Sequence, residues 1–114
     1  MSYSWQGSSG RWYPVDVARA KRDWPRVGGI YMFVKPADAS MTDWGGPVVL
    51  YLAKTNDFAA ALGRHDMWAA AQQLGAGEIH LLEIETDQER AFVEQDLIEA
   101  QRPILNRQML RRVA

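Results

Sequence analysis

Three stretches of the chain carry a strand-like pattern of apolar positions. GGIYMFVK (28–35) joins aromatic and β-branched residues without a polar break, with glycines before it and Pro36 after it, and predicts a strand. VVLYL (48–52) is apolar at every position and predicts a second strand, covered on both faces. EIHLLEIE (78–85) predicts a third, with Ile79, Leu81 and Ile84 as its apolar set. The stretches between them have helical signals. Asn56 or Asp57 is placed to cap a helix through FAAALGRH that breaks near Gly63, resumes through DMWAAAQQL and ends at the Gly-Ala-Gly of 75–77. Thr86 and Glu89 form the T-x-x-E capping box of a further helix running to about Gln101, which Pro103 stops. The tail from Ile104 predicts a last short basic helix.

Ahead of the first strand the pattern is weaker. Residues 1–13 mix Gly and Ser with Tyr3, Trp5, Trp12 and Tyr13 and predict an irregular arm laid against the body, because so many aromatics are unfavourable in water. VDVARAKRDW (15–24) predicts a short helix ending before Pro25, and 37–47 predicts a loop. The expected architecture is α/β of the α+β kind: a small three-stranded sheet flanked by helices, in the order β-β-α-β-α. A 12-residue loop makes the first two strands an expected antiparallel pair. The expected organisation is an arm and short helix over 1–27, a domain over 28–107 and a basic tail over 108–114.

Composition changes this picture little. Residues that are hydrophobic make up 47% and charged residues 24% of 114, which excludes a wholly disordered chain and fits one domain. No apolar run nears the roughly 20 residues of a membrane span, and no secretory pattern opens the chain. Cysteine is absent, which excludes disulfides and thiolate catalysis and fits a cytoplasmic location. Charge is uneven: +3 over 1–64, −8 over 65–101 and +4 over 102–114. The overall −1 argues against strong nonspecific nucleic-acid binding. The basic ends still allow a local phosphate-facing surface; a solvated acidic face explains the middle equally well.

One residue resists a purely structural reading. At about 100° per residue, Ala91 and Ile98 fall about 60° and about 40° to one side of Glu94, and Leu97 about 60° to the other. A carboxylate within an apolar stripe calls for a cation, a metal or a donor network. The structural alternative is a helix-edge Glu paired with Arg90 or Gln101. Tyr31 and Tyr51 sit in the two expected central strands, where core packing explains them as well as chemistry does. Lys54 follows the second strand, at a strand end where ligands gather, or is a solvated loop lysine. His65 and His80 have no metal-ligand spacing, and the serines lack an acid–base partner. Trp68 reads as core, whereas Trp44 could stack on a base; Arg107, Arg111 and Arg112 follow a phosphate backbone or are simply solvated.

Taken together these residues resemble the GIY-YIG nuclease family. Gly29-Ile30-Tyr31 matches the first motif, and Tyr51-Leu52-Ala53 stands where Tyr-Ile-Gly would be, continued by Lys54-Thr55. Glu94-x-x-Leu97-Ile98 and then Arg102-Pro103-x-x-Asn106 are similar to the closing segment, and His65-x-x-Trp68 with Leu74-Gly75-Ala76 to one branch of small stand-alone members. The resemblance covers 28–107. It implies a divalent-metal-dependent DNA endonuclease, with one Mg²⁺ or Mn²⁺ on Glu94 acting as Lewis acid on the phosphodiester. Tyr31 or Tyr51 would orient or deprotonate the attacking water, aided by positive charge from Lys54. His65 would line the groove, and Asn106 would tie the C-terminal segment to the site. DNA is the implied partner, with a protein partner supplying target choice, and no membrane.

Two positions depart from the family pattern. Ala53 replaces the motif's glycine, and Ala61 stands where members carry a helix arginine. A cation on the transferring phosphoryl group is worth about 10²–10⁵ in rate. Arg64, three residues on, lies on the same helix face and leans back toward the vacated spot, so it is expected to take over that contact. The alternative reading is a catalytically silent module that keeps the fold and binds DNA or a protein.

Overall fold

The computed structural model describes residues 2–19, 23–37, 46–63 and 65–107. The elements in chain order are β1 (Ser2–Gln6), β2 (Trp12–Ala18), β3 (Gly29–Lys35), β4 (Val48–Thr55), α1 (Phe58–Gly63), α2 (Asp66–Gln73), β5 (Glu78–Glu83) and α3 (Asp87–Gln101), followed by one helical turn over 104–107. The strands form a single five-stranded antiparallel sheet in the order β1-β2-β5-β3-β4. The mixed α+β class and the run β-β-α-β-α from β3 onward match expectation. The three-stranded sheet does not, because two strands are added at its β5 edge.

β3 lies between β5 and β4 and is buried on both faces from Gly29 to Val34. Its alternation splits the core in two. Ile30, Met32 and Val34 pack toward α3 with Val49, Leu52, Val93 and Leu97. Tyr31 and Phe33 pack the other way, with Tyr51, Phe58, Leu62, Ile79 and Leu105. This is the period-two geometry of a strand covered on both sides. Gly29 has to be glycine: a Cβ there would strike the backbone carbonyl of Leu82 on β5. A bulge between Phe33 and Val34 shifts the β3–β4 register, which lets both Leu50 and Tyr51 join the α1–α2 side.

The N-terminal segment corrects the sequence reading twice. The arm is half of a β-hairpin, and the short helix expected over 15–24 is strand β2 as far as Ala18 (20–22 lie outside the described residues). Tyr13 and Val15 are buried and Val17 is half-buried while Trp12, Pro14 and Asp16 are exposed, a strand period that outweighs the helix propensity of the Ala/Lys/Arg residues after it. β2 joins β5 only from Asp16 onward, so Pro14 lies beyond that pairing and costs it no hydrogen bond. Gly10 takes φ +94 in the turn, a conformation that glycine adopts without strain. Of the arm's aromatics, Trp5 and Tyr13 are core and Tyr3 and Trp12 are exposed.

Asp96 on α3 holds this hairpin. Its Oδ1 accepts from the Ser9 amide at 2.7 Å; its Oδ2 accepts from the Ser9 hydroxyl at 2.7 Å and from the Tyr13 hydroxyl at 2.8 Å. A Cβ on Gly7 would collide with that carboxylate. Thr86 caps α3 through the Glu89 amide at 3.2 Å, while the Glu89 side chain pairs with Arg11. Helix α3 ends with Arg102 in the left-handed region (φ 47), just before Pro103. Asp57 caps α1 by accepting from the Ala59 amide at 3.0 Å. No helix among the described residues is long and apolar enough to cross a membrane.

Candidate functional site

The α1–α2 face of the sheet carries a directed hydrogen-bond chain. His65 is the N-cap of α2, and its Nδ1 accepts from the Met67 amide at 3.1 Å. An acceptor Nδ1 leaves the single ring proton on Nε2 in the neutral imidazole. Nε2–H therefore donates to the Tyr31 hydroxyl oxygen, 2.7 Å away. With its oxygen accepting from His65, the Tyr31 hydroxyl is left to direct its own proton toward the neighbouring Tyr51, whose ring lies 6.2 Å away between centroids. A helix cap thus fixes a tautomer, and the tautomer sets the direction of the chain, which ends on the Tyr51 phenol. The three rings also pack edge-on, His65 lying 5.4 Å from Tyr31 and 5.2 Å from Tyr51 between centroids.

Glu94 and Asn106 meet the outer edge of β4. The Lys54 amide donates to Glu94 Oε2 at 3.0 Å. The Asn106 side chain clasps Leu52, accepting from its amide at 2.9 Å and donating to its carbonyl at 2.7 Å. Alternate residues of an edge strand present their backbone outward, so these two side chains block the edge as a neighbouring strand would. Glu94 is half-buried, and the apolar stripe of α3 centres on Val93 and Leu97, with Ala91 exposed. The expected placement of Glu94 inside the stripe is corrected to its rim. The carboxylate that is buried in α3 is Asp96, which the hairpin partners.

Neither phenol titrates easily. Burial pushes Tyr31 far up, reinforced by Tyr51 and by the Glu94 charge. Burial also raises Tyr51, the bond from Tyr31 lowers it and Glu94 raises it again. Lys54 does not supply the expected cation. Tyr51 and Ala53 face the α1–α2 side and Leu52 the α3 side, so Lys54 shares the face of Leu52, away from the phenols. Burial lowers His65 below its ordinary value, against a smaller opposite pull from Asp66, so the ring is neutral at pH 7 and the tautomer argument holds.

Tyr31 is therefore brought together with His65 and Tyr51, the Glu94 charge reaches both phenols, Asn106 clasps the edge strand that carries Tyr51, and the Lys54 side chain is turned away. Arg64 lies outside the described residues, as do Trp44, Arg111 and Arg112. Ala61 is half-buried and packs against the α1–α2 core; Ala53 does the same. Trp68 is half-buried and packs against the core, its ring edge-on to Phe33 at 5.0 Å. A small cavity beside His65 is lined by Trp24, Phe33, Leu62, Trp68 and Ile79. Among the described residues no three metal-ligating side chains cluster. Glu94 is a hard oxygen donor at a half-buried rim, and no described hydrogen bond reaches its Oε1, which fits a hydrated divalent ion held by a lone carboxylate. Sequence reasoning did not identify the cap role of His65, although a polar residue three positions before Trp68 and directly ahead of Asp66 is an N-cap pattern.

Set against protein families, curated proteins and solved structures, the chain finds no match in any of the three.

Proposed function

We propose that the chain is a divalent-metal-dependent DNA endonuclease of GIY-YIG type. The observation that carries this reading is the chain His65→Tyr31→Tyr51, which ends on a phenol under the influence of the Glu94 charge. A purely structural tyrosine pair needs no tautomer-selected donor behind it. Glu94 is the residue to hold one Mg²⁺ or Mn²⁺, which when bound supplies Lewis-acid stabilisation of the phosphate and the leaving oxygen. Tyr51 orients the attacking water through its hydroxyl. Tyr31 is locked between His65 and Tyr51 and acts as a positioning residue. Both phenols stay protonated at neutral pH, so their first role is to hold and direct hydrogen bonds.

A second reading has its own support. Glu94 and Asn106 both bond to the open edge of β4, and Ala61 packs where the family's arginine would be, which suits a silent DNA- or protein-binding module that keeps the fold. The deciding experiment is nicking of supercoiled plasmid with Mn²⁺ or Mg²⁺ by the parent and by Glu94→Gln. The amide oxygen of Gln still accepts from Lys54, so the edge stays blocked while the charge is gone. Nicking by the parent alone establishes the nuclease. No nicking by a folded parent selects the binding module.

A further inference from the structure

On the α3 face, a second histidine joins strands that are not neighbours. His80 on β5 is 1% exposed. Its Nδ1 accepts from the Trp5 indole N–H at 2.9 Å, and Trp5 belongs to β1, on the far side of β2. Val17 of β2 is the register partner of His80, so the indole reaches across that strand to close the bond. The acceptor role of Nδ1 places the ring proton on Nε2, which donates to Glu78 Oε1 at 3.0 Å. Arg19 sits 3.5 Å from the other Glu78 oxygen. A cleft of about 230 Å³ lined by Tyr3, Val17, Pro36, Pro47 and Glu78 opens beside the pair and gives protons a way in.

We propose that the Trp5–His80 hydrogen bond is a pH-sensitive latch on β1: protonation of His80 turns its accepting nitrogen into a donor, and the strand parts from the sheet at its first residues. An imidazolium has no acceptor, so Trp5 and His80 would then face each other donor to donor. The proposal is independent of the nuclease reading. Among the described residues the charged and titratable groups that face His80 are Glu78 on its own strand, Arg19 just past β2 and Tyr3 on β1. Met32 on β3 and Val93 and Leu97 on α3 are apolar, and Asp96 is bound to Ser9 and Tyr13. Burial holds His80 below its ordinary value, with Glu78 pulling the other way, so the latch is closed at pH 7. The far end of the hairpin stays fixed. Burial works to raise Asp96, but its bonds from Ser9 and Tyr13 hold it below the ordinary carboxyl value, so it remains ionised in the same range.

The test is amide and indole hydrogen exchange by NMR at pH 7.5 and pH 5, corrected for intrinsic rates. The expected result is a fall of about tenfold or more in protection of the Trp5 indole and of the β1 amides, while Ile30 and Met32 on β3 stay protected. Trp5→Phe removes the donor, and its β1 protection should then be the same at both pH values. Glu78→Gln keeps a side chain for His80 to bond but loses the charge that favours imidazolium, so opening should shift to lower pH. Unchanged β1 protection in the parent overturns the proposal. So does loss of β1 and β3 together, a pH response retained in Trp5→Phe, or an opening pH in Glu78→Gln equal to that of the parent.

Discussion

His65 and His80 make the same first bond and lead to different ends. Each ring accepts an N–H at Nδ1, from Met67 in one case and Trp5 in the other, and each is thereby held as the Nε2–H tautomer. On the α3 face the proton of His80 goes to a carboxylate that Arg19 also meets, and the network closes on itself. On the α1–α2 face the proton of His65 goes to a phenol, then to a second phenol, and no cation closes the end among the described residues. Asp96 belongs with the closed kind: both its oxygens are bonded. A closed network answers for its own desolvation and specifies the fold. On the α1–α2 side the chain runs through two phenols instead of closing on a carboxylate, and this is the side of the candidate tyrosines.

Breaking the closed side should show as lost stability. Asp96→Ala removes the acceptor for the Ser9 amide, the Ser9 hydroxyl and the buried Tyr13 hydroxyl together. The expected cost is about 3 kcal/mol of unfolding free energy in a urea titration, since buried donors left without partners cost about 1–3 kcal/mol each and some find water. The effect has a pH signature. Because the folded-state value of Asp96 is depressed, its contribution is present above pH 4 and disappears as pH falls through that lower value; Asp96→Ala should flatten the parent's stability loss there.

Breaking the open side should show as lost activity with stability kept. Glu94→Gln is expected to lower nicking by about 10²-fold or more while the unfolding free energy from urea titration changes by less than about 0.5 kcal/mol. Tyr51→Phe should lose more rate than Tyr31→Phe, because Tyr51 is the end of the chain. Equal losses would remove the directional reading. Asn106→Ala is intermediate. It uncovers the Leu52 amide and carbonyl at the edge of β4 and should cost about 2 kcal/mol, with nicking altered only as far as the strand end moves.

The sequence made one side of this comparison legible and hid the other. β3, β4, β5 and the Thr86 cap could all be read locally, because their apolar periods and end signals lie within single segments. The motif tyrosines and Glu94 came with them. The hairpin was hidden by Pro14 and by the helix-prone residues after Val17, although Tyr13, Val15 and Val17 alternate as a strand does. Missing the hairpin hid Asp96 as well: its donors, Ser9 and Tyr13, come from more than 80 residues away, as the 87- and 83-residue separations of those bonds show. Without those partners, Glu94 stood out as the acid of the apolar stripe and nothing drew attention to Asp96. The facing of Lys54 was available from strand alternation alone, and reading it as a loop residue after the strand concealed that.

The finest test lies within His65 itself, because one ring both caps a helix and donates to a phenol. Asn is a good N-cap and lacks a donor placed to reach Tyr31, so His65→Asn should leave stability within about 0.5 kcal/mol and keep α2 intact. Nicking should still fall, by about tenfold, because Tyr31 loses the bond that fixes its direction. The pH dependence separates the roles further. The folded-state value of His65 lies below 6.5, so its capping contribution is complete above pH 6.5 and is lost as pH falls through the lower value, where Nδ1 can no longer accept from Met67. Asn does not titrate in that range, and local exchange at the first turn of α2 should lose its pH step in the variant. An α2 step that survives in His65→Asn would mean that the cap is not what holds the tautomer, and the direction of the tyrosine chain would have to be set by some other group.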